Sequence, residues 1–154
     1  MSKWGSCDFK QLKELQKRIE RLQKSDLAQF CEAVSKELAA RLLAKVIKRT
    51  PVGQYPAKSG KVGGTLRRGW TGEKQQNATA YAQALPITQQ GNDFIIEIIN
   101  PVEYASYVEF GHRTRGGGWV EGRFMLTKSE LEIEGQAPKI IEKKLLQFLG
   151  ETFE

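Results

Sequence analysis

The chain of 154 residues holds one histidine, two cysteines and five prolines, and these scarcities exclude a good deal. A single imidazole cannot build a histidine metal site, and neither Cys7 nor Cys31 stands in a CxxC pair with zinc spacing. Two thiols so placed form no disulfide framework. Cys31 reads as a small buried apolar residue of a helix, Cys7 as incidental, and both as reduced cytoplasmic thiols. No apolar run approaches the roughly 20 residues of a membrane span, and no h-region or cleavage signature marks the first residues for export.

The catalytic inventory is equally thin. Without a GxSxG elbow, a Ser-His-Asp triad would have to draw on His112, which sits in a basic loop bounded by glycines. EF-hand carboxylate spacing is missing, and Gly60-Lys61-Val62-Gly63-Gly64-Thr65 lacks the order of a P-loop. Glu103 and Glu109 resemble an acid/base pair, but Glu103 is better explained as a capping residue and Glu109 as a partner for Arg113, Arg115 or another subunit. The expectation is a protein without catalysis, metal or cofactor.

What is present is ordinary globular composition, 40% hydrophobic and 27% charged. The length suits one domain over 1–154. The net charge of +6 is uneven: residues 1–50 carry twelve Lys/Arg against six Asp/Glu, residues 51–123 eight against six, and residues 124–154 four against six. A basic front and an acidic tail suit head-to-tail contact between identical subunits, or contact with an anionic partner such as DNA.

Helical periodicity is plain at both ends. After a cap at Asp8, Phe9, Leu12, Leu15, Ile19 and Leu22 make one narrow stripe among Lys10, Lys13, Lys17, Arg18, Arg21 and Lys24, a helical arm over residues 1–25. Ser25-Asp26 offers a fresh cap. The main helix then carries Leu27, Phe30, Cys31, Val34, Leu38, Leu42, Val46 and Ile47 on one face and ends at Thr50-Pro51. Residues 51–64 read as a flexible Gly/Pro/Lys loop. Thr65–Glu73, Ala78–Thr88 and Phe94–Ile99 read as strands, the last buried on both faces. A helical stretch over Thr127–Glu134 and a terminal helix opening at Pro138 complete an α+β pattern: long N-terminal and C-terminal helices packed on a small antiparallel sheet.

The most informative stretch runs from Asn100 to Gly111. Asn100 reads as the cap, Pro101 as the first helical position, Glu103 as the reciprocal capping residue, and Gly111 as the left-handed stop. The segment 111–122 follows as a flexible cationic arm with His112, Arg113, Arg115 and three consecutive glycines. A rigid peg bearing a basic arm suits docking onto other subunits. Tyr104, Tyr107, Glu109, Phe110, His112, Arg113, Arg115 and Trp119 are its candidate interface residues; Lys58, Lys61, Arg67 and Arg68 are candidates to face DNA. Trp70 and Trp119 lie near arginines and could stack on bases, but a core role for Trp70 and an interface role for Trp119 fit better.

Two blocks, Thr50-Pro51-Val52 with Gly64-Thr65-Leu66-Arg67-Arg68-Gly69-Trp70, and Tyr104-Ala105-Ser106-Tyr107-Val108-Glu109-Phe110-Gly111, resemble the minor tail component family of long-tailed bacteriophages, the tail completion or neck proteins. The family pattern is a helix, TPV-x-TG-x-LR-x-SW, YA-x-YVE-x-G and an aromatic-led helical region, which Phe124 and Met125 would open. Here residues 53–63 are inserted into the first block, and glycines replace the usual prolines after Gly111. The resemblance implies a non-enzymatic virion protein of the head–tail junction, present in host cytoplasm during assembly. It implies a ring of identical subunits and contacts with tail terminator, tail tube or head-completion proteins. The basic loops would face packaged DNA through non-specific phosphate contacts. A non-specific DNA-binding module using the basic N-terminal helix and loops is the alternative reading.

Overall fold

In the computed structural model, residues 10–21, 25–72 and 77–153 are described. Asp8, Phe9, Leu22 and Cys7 lie outside them. The element order is α1 (Lys10–Arg21), α2 (Ser25–Arg49), a 3-10 turn at Ala57–Ser59, α3 (Thr65–Gly69), α4 (Ala78–Ala84), β1 (Thr88–Gln90), β2 (Asp93–Ile95), α5 (Ala105–Phe110), β3 (Gly111–Arg113), β4 (Trp119–Glu121) and α6 (Met125–Phe153). The fold is α+β, with its sheet divided into two antiparallel pairs, β1–β2 and β3–β4.

Alanine and leucine carry α2 through its middle turns, and lysine and arginine close its last turn against the helix dipole. Its buried side is Val34, Ala39, Ala40, Leu43 and Val46, joined in the core by Leu66, Trp70, Ala82 and Met125. The expected stripe was rotated: Leu43 sits at the centre, Leu38 and Leu42 are half-buried, and Leu27 is exposed. From Leu38 to Ile47 the helix is apolar almost all round, so periodicity fixes no single face, and Ala39 and Ala40 leave room for close neighbours. α4 and α6 both pack on α2.

Two expected strands are helices. Leu66 and Trp70 are both buried, four residues apart, with α3 running between them. α4 is an alanine-rich turn whose Asn77 side chain accepts the Ala80 N–H at 2.7 Å. The third strand is formed only at Asp93–Ile95, and the extended chain beyond it alternates: Phe94, Ile96 and Ile98 turn inward, Ile95 and Ile99 outward. It is a one-sided strand, not one buried on both faces.

At the C-terminus one helix replaces the expected two, with Pro138 inside it. Proline lacks the N–H that would bond the Glu134 carbonyl one turn earlier, and its ring crowds that carbonyl. Pro138→Ala is therefore expected to raise unfolding free energy by about 1–2 kcal/mol, part of the gain being cancelled by a freer unfolded chain. Urea denaturation of the two proteins measures it.

Ion pairs tie α6 to α2. Glu132 receives Lys45 at 2.7 Å and also Arg49, which donates to Ser129 Oγ at 3.0 Å as well. Glu37 receives Lys144 at 2.7 Å and Arg41 at 2.9 Å. Hydrogen bonding from Lys144 foremost holds Glu37 below the usual carboxylate range, and that from Lys45 does the same for Glu132. A depressed folded-state pKa stabilises the fold above the unfolded carboxylate range, and that contribution disappears as pH falls through the folded value. Acid titration of thermal stability should show a loss at the low end of the carboxylate range that Glu37→Gln reduces, leaving the share of Glu132. With its Lys144 and Arg41 partners half-exposed, the Glu37 step amounts to less than about 1 kcal/mol.

Candidate functional site

The two motif blocks fold onto each other. Thr50, at the end of α2, is fully buried and works as a junction. Its hydroxyl donates to the Val46 carbonyl at 2.7 Å and accepts the Trp70 indole N–H at 2.8 Å. Its carbonyl accepts two bonds from Arg67, at 2.7 and 3.2 Å. Arg67 is thus half-buried, with its guanidinium bonded to its own chain. Arg68 is exposed and donates to the Gly63 carbonyl at 3.3 Å, while Lys58 and Lys61 are exposed on the loop. Lys61 lies 5.9 Å from the centre of the Tyr55 ring.

Asn100 joins the blocks. Its amide donates to the Leu66 carbonyl at 2.8 Å, and its Oδ1 accepts the Val102 N–H at 3.2 Å. Gly69 allows this approach, because a Cβ there would meet Asn100 Oδ1 and the Val102 side chain. Asn100 therefore shapes a turn ahead of the peg instead of capping it. The helix begins later, at Ala105, with Tyr104 at the cap position, and Glu103 is exposed and forms no capping box. Gly111 ends it, but at φ +86° and ψ 172°, an extended glycine conformation instead of the expected left-handed turn.

Glu109 overturns its expected role. It is only 6% exposed and points into its own chain. One carboxylate oxygen accepts the Leu126 N–H at 2.9 Å; the other accepts the Thr127 N–H at 2.9 Å and the Thr127 hydroxyl at 2.7 Å. These are first-turn donors of α6, which no residue of that helix satisfies. Phe124 precedes them at φ +49°, a left-handed geometry unusual for an aromatic residue, and cannot cap with its side chain. A carboxylate at this helix start also complements the dipole. Glu109 is a cap delivered from another element, its carboxylate taken up by Leu126 and Thr127 instead of Arg113 or Arg115.

The cationic arm forms a hairpin. β3 and β4 pair with His112 opposite Val120 and Arg113 opposite Trp119. Thr114 closes the turn, donating its N–H to the Gly118 carbonyl at 2.9 Å and accepting the Gly118 N–H at 3.0 Å. Residues 111–122, read from sequence as a loop, thus contain a paired hairpin. His112 is half-buried, its ring centre 5.7 Å from that of Tyr107, and its Nδ1 is buried without a hydrogen-bond partner.

What remains outside is mainly aromatic. Tyr107, Phe110 and Trp119 are 58%, 61% and 56% exposed, with Tyr104 and Val120 also open. Phe110 rests edge-on against Phe124 at 6.5 Å. Arg113 and Arg115 are exposed on the hairpin. Beside Tyr104, a cleft of about 220 Å³ is lined by Val52, Tyr55, Val62, Leu66 and Val108. Large rings and arginines, held by short elements on a packed frame, have the composition of a protein-binding surface. Among the described residues no group of three or more His, Cys, Asp and Glu could hold a metal ion, and no helix is long and apolar enough to cross a membrane.

Sequence reasoning placed Trp70 in the core and Gly111 at the helix end, and the aromatics it offered for an interface, Tyr104, Tyr107, Phe110 and Trp119, are exposed. It missed the Thr50 junction and the direction of Glu109. A signal for the first existed: a buried indole needs an acceptor, and Thr50 is one of two hydroxyl-bearing residues, with Thr65, inside its own motif block.

Neither a curated protein nor a solved structure matches the chain. One family model does, that described as "Bacteriophage HK97-gp10, putative tail-component", over residues 13–111. The matched span ends at Gly111 and contains both interlocked blocks, and it covers well over half of the sequence. The chain belongs to the HK97-gp10-like family of bacteriophage tail components.

Proposed function

We propose that the chain is a single-domain, non-catalytic subunit of the phage head–tail junction, acting in tail completion or head–tail joining. It assembles with copies of itself into a ring and docks onto a tail terminator, tail tube or head-completion protein. It would be found in host cytoplasm during assembly and in the finished virion. The observation that carries this reading is the outward set Tyr107, Phe110 and Trp119 on a frame whose motif residues are committed inward. Exposed aromatic clusters of this kind are costly in a lone monomer and suit an anchor buried on assembly. Arg113 and Arg115 supply a cationic rim, and the fold's support of α5 through Glu109 keeps the anchor rigid.

Electron microscopy of purified particles, with the subunit labelled, tests the location. The expected result is a ring of copies between capsid and tail tube. Particles lacking the subunit, or labels scattered along the tail, would contradict the proposal.

The exposed cations Lys58, Lys61 and Arg68 favour a second, subordinate role in touching DNA without sequence preference. Binding of this type weakens steeply with salt. Lys58→Glu with Lys61→Glu should lower low-salt affinity for duplex DNA severalfold and flatten the salt slope, readable by fluorescence anisotropy. Undetectable binding of the unaltered protein at low salt would remove the role.

A further inference from the structure

Two apolar stripes, one near each end of the chain, are left without a partner among the described residues. On α1, Leu12, Leu15 and Ile19 follow at steps of three and four residues and are 56%, 41% and 46% exposed. No element of the described residues packs broadly on this helix. On α6, Leu131, Ile141 and Leu145 are exposed. Leu131, Pro138 and Leu145 recur every seven residues with Ile141 between the last two, so they share the side of α6 opposite the buried Met125, Ser129 and Ile133.

The stripes differ in electrical sign. α1 carries five Lys/Arg against Glu14 and Glu20, a net +3. The α6 stripe is flanked by the exposed carboxylates Glu130, Glu134 and Glu142, with Lys128 and Lys139 only at its margin. Pairing α1 with a second α1 would bring two +3 helices together, and pairing α6 with α6 would oppose two acidic faces. Only α1 on α6 joins apolar to apolar and basic to acidic.

We infer that α1 of one copy lies along the outward face of α6 of a second copy. A helix of 12 residues is marginal alone in water, so α1 gains order from this seat. The contact is heterologous, one patch meeting a different patch, and repeats from copy to copy until the chain of subunits closes or the supply ends. This deepens the proposal of self-assembly and rests on it. Its test uses the purified chain alone, so it can fail while docking of the aromatic surface onto tail proteins stands.

Sedimentation velocity of two variants and their mixture makes the test. Leu15→Glu with Ile19→Glu spoils the arm; Ile141→Glu with Leu145→Glu spoils the seat. Unaltered protein is expected to self-associate as concentration rises, and each double variant to associate at least about tenfold more weakly. Mixed in equal amounts, the two variants should form a heterodimer and nothing larger, since one sound arm meets one sound seat. If the α6 variant loses its helical circular dichroism, Glu134→Lys with Glu142→Lys, confined to exposed side chains, takes its place. That pair should weaken association severalfold, with recovery on adding Lys13→Glu and Lys17→Glu. The inference is overturned if unaltered protein stays monomeric at every concentration reached, if spoiling the arm leaves association intact, or if the mixture shows no heterodimer.

Discussion

Replacing Glu109 with alanine is expected to cost about 2–4 kcal/mol of folding free energy, most of it through α6. The carboxylate takes two backbone N–H groups and a hydroxyl, at 2.9, 2.9 and 2.7 Å, in a site nearly closed to water. Alanine would strip all three donors at once and admit no acceptor in their place. The loss of negative charge at the start of a 29-residue helix adds to the deficit. Glu109→Gln keeps one carbonyl oxygen and should recover roughly half of the loss. Hydrogen exchange at Leu126 and Thr127, measured beside urea denaturation, separates a frayed helix start from global destabilisation. An alanine variant as stable as the parent, with those amides still protected, would show that the cap matters little.

Trp70→Ala should be at least as damaging, at about 3–5 kcal/mol, because a core indole is removed from among Leu43, Val46, Leu66 and Met125. Trp70→Phe divides that loss. The phenyl ring keeps most of the packing but has no N–H for Thr50, so a cost of about 1–2 kcal/mol isolates the hydrogen bond and the smaller ring's void. Thr50→Val tests the same bond from the other side and leaves the indole N–H buried without an acceptor. Phe and Val variants that both matched the parent would contradict the account of Thr50 as a junction.

The parts of this fold legible in sequence are those where one force dominates. The long helix of residues 25–49 shows through its helix formers and its proline stop, and Trp70 shows as core because nothing else nearby can hide so large a ring. Residues 65–69 and 78–84 misled because short helices barely span two turns, too little for periodicity to separate 3.6 from 2. The leucine–tryptophan spacing of four residues was the better guide there. Pro138 read as a helix start because proline is most at home in a first turn; packing of both halves of α6 outweighs that preference. At the candidate surface, exposure of the aromatics followed from the motif, whereas the destination of Glu109 did not. Its partners stand 17 and 18 residues away across a hairpin, and no local pattern records such a contact.

The motif residues divide into an inward frame and an outward grip. Phe110→Asp with Trp119→Asp changes only exposed side chains of that grip, so the variant should keep its circular dichroism spectrum and melt within a few degrees of the parent. Supplied in place of the native subunit to a phage lacking it, the variant should leave unjoined heads and tails and reduce infectious particles at least about a hundredfold. Normal yields of joined particles from a correctly folded double variant would contradict the claim that this aromatic surface holds the junction together.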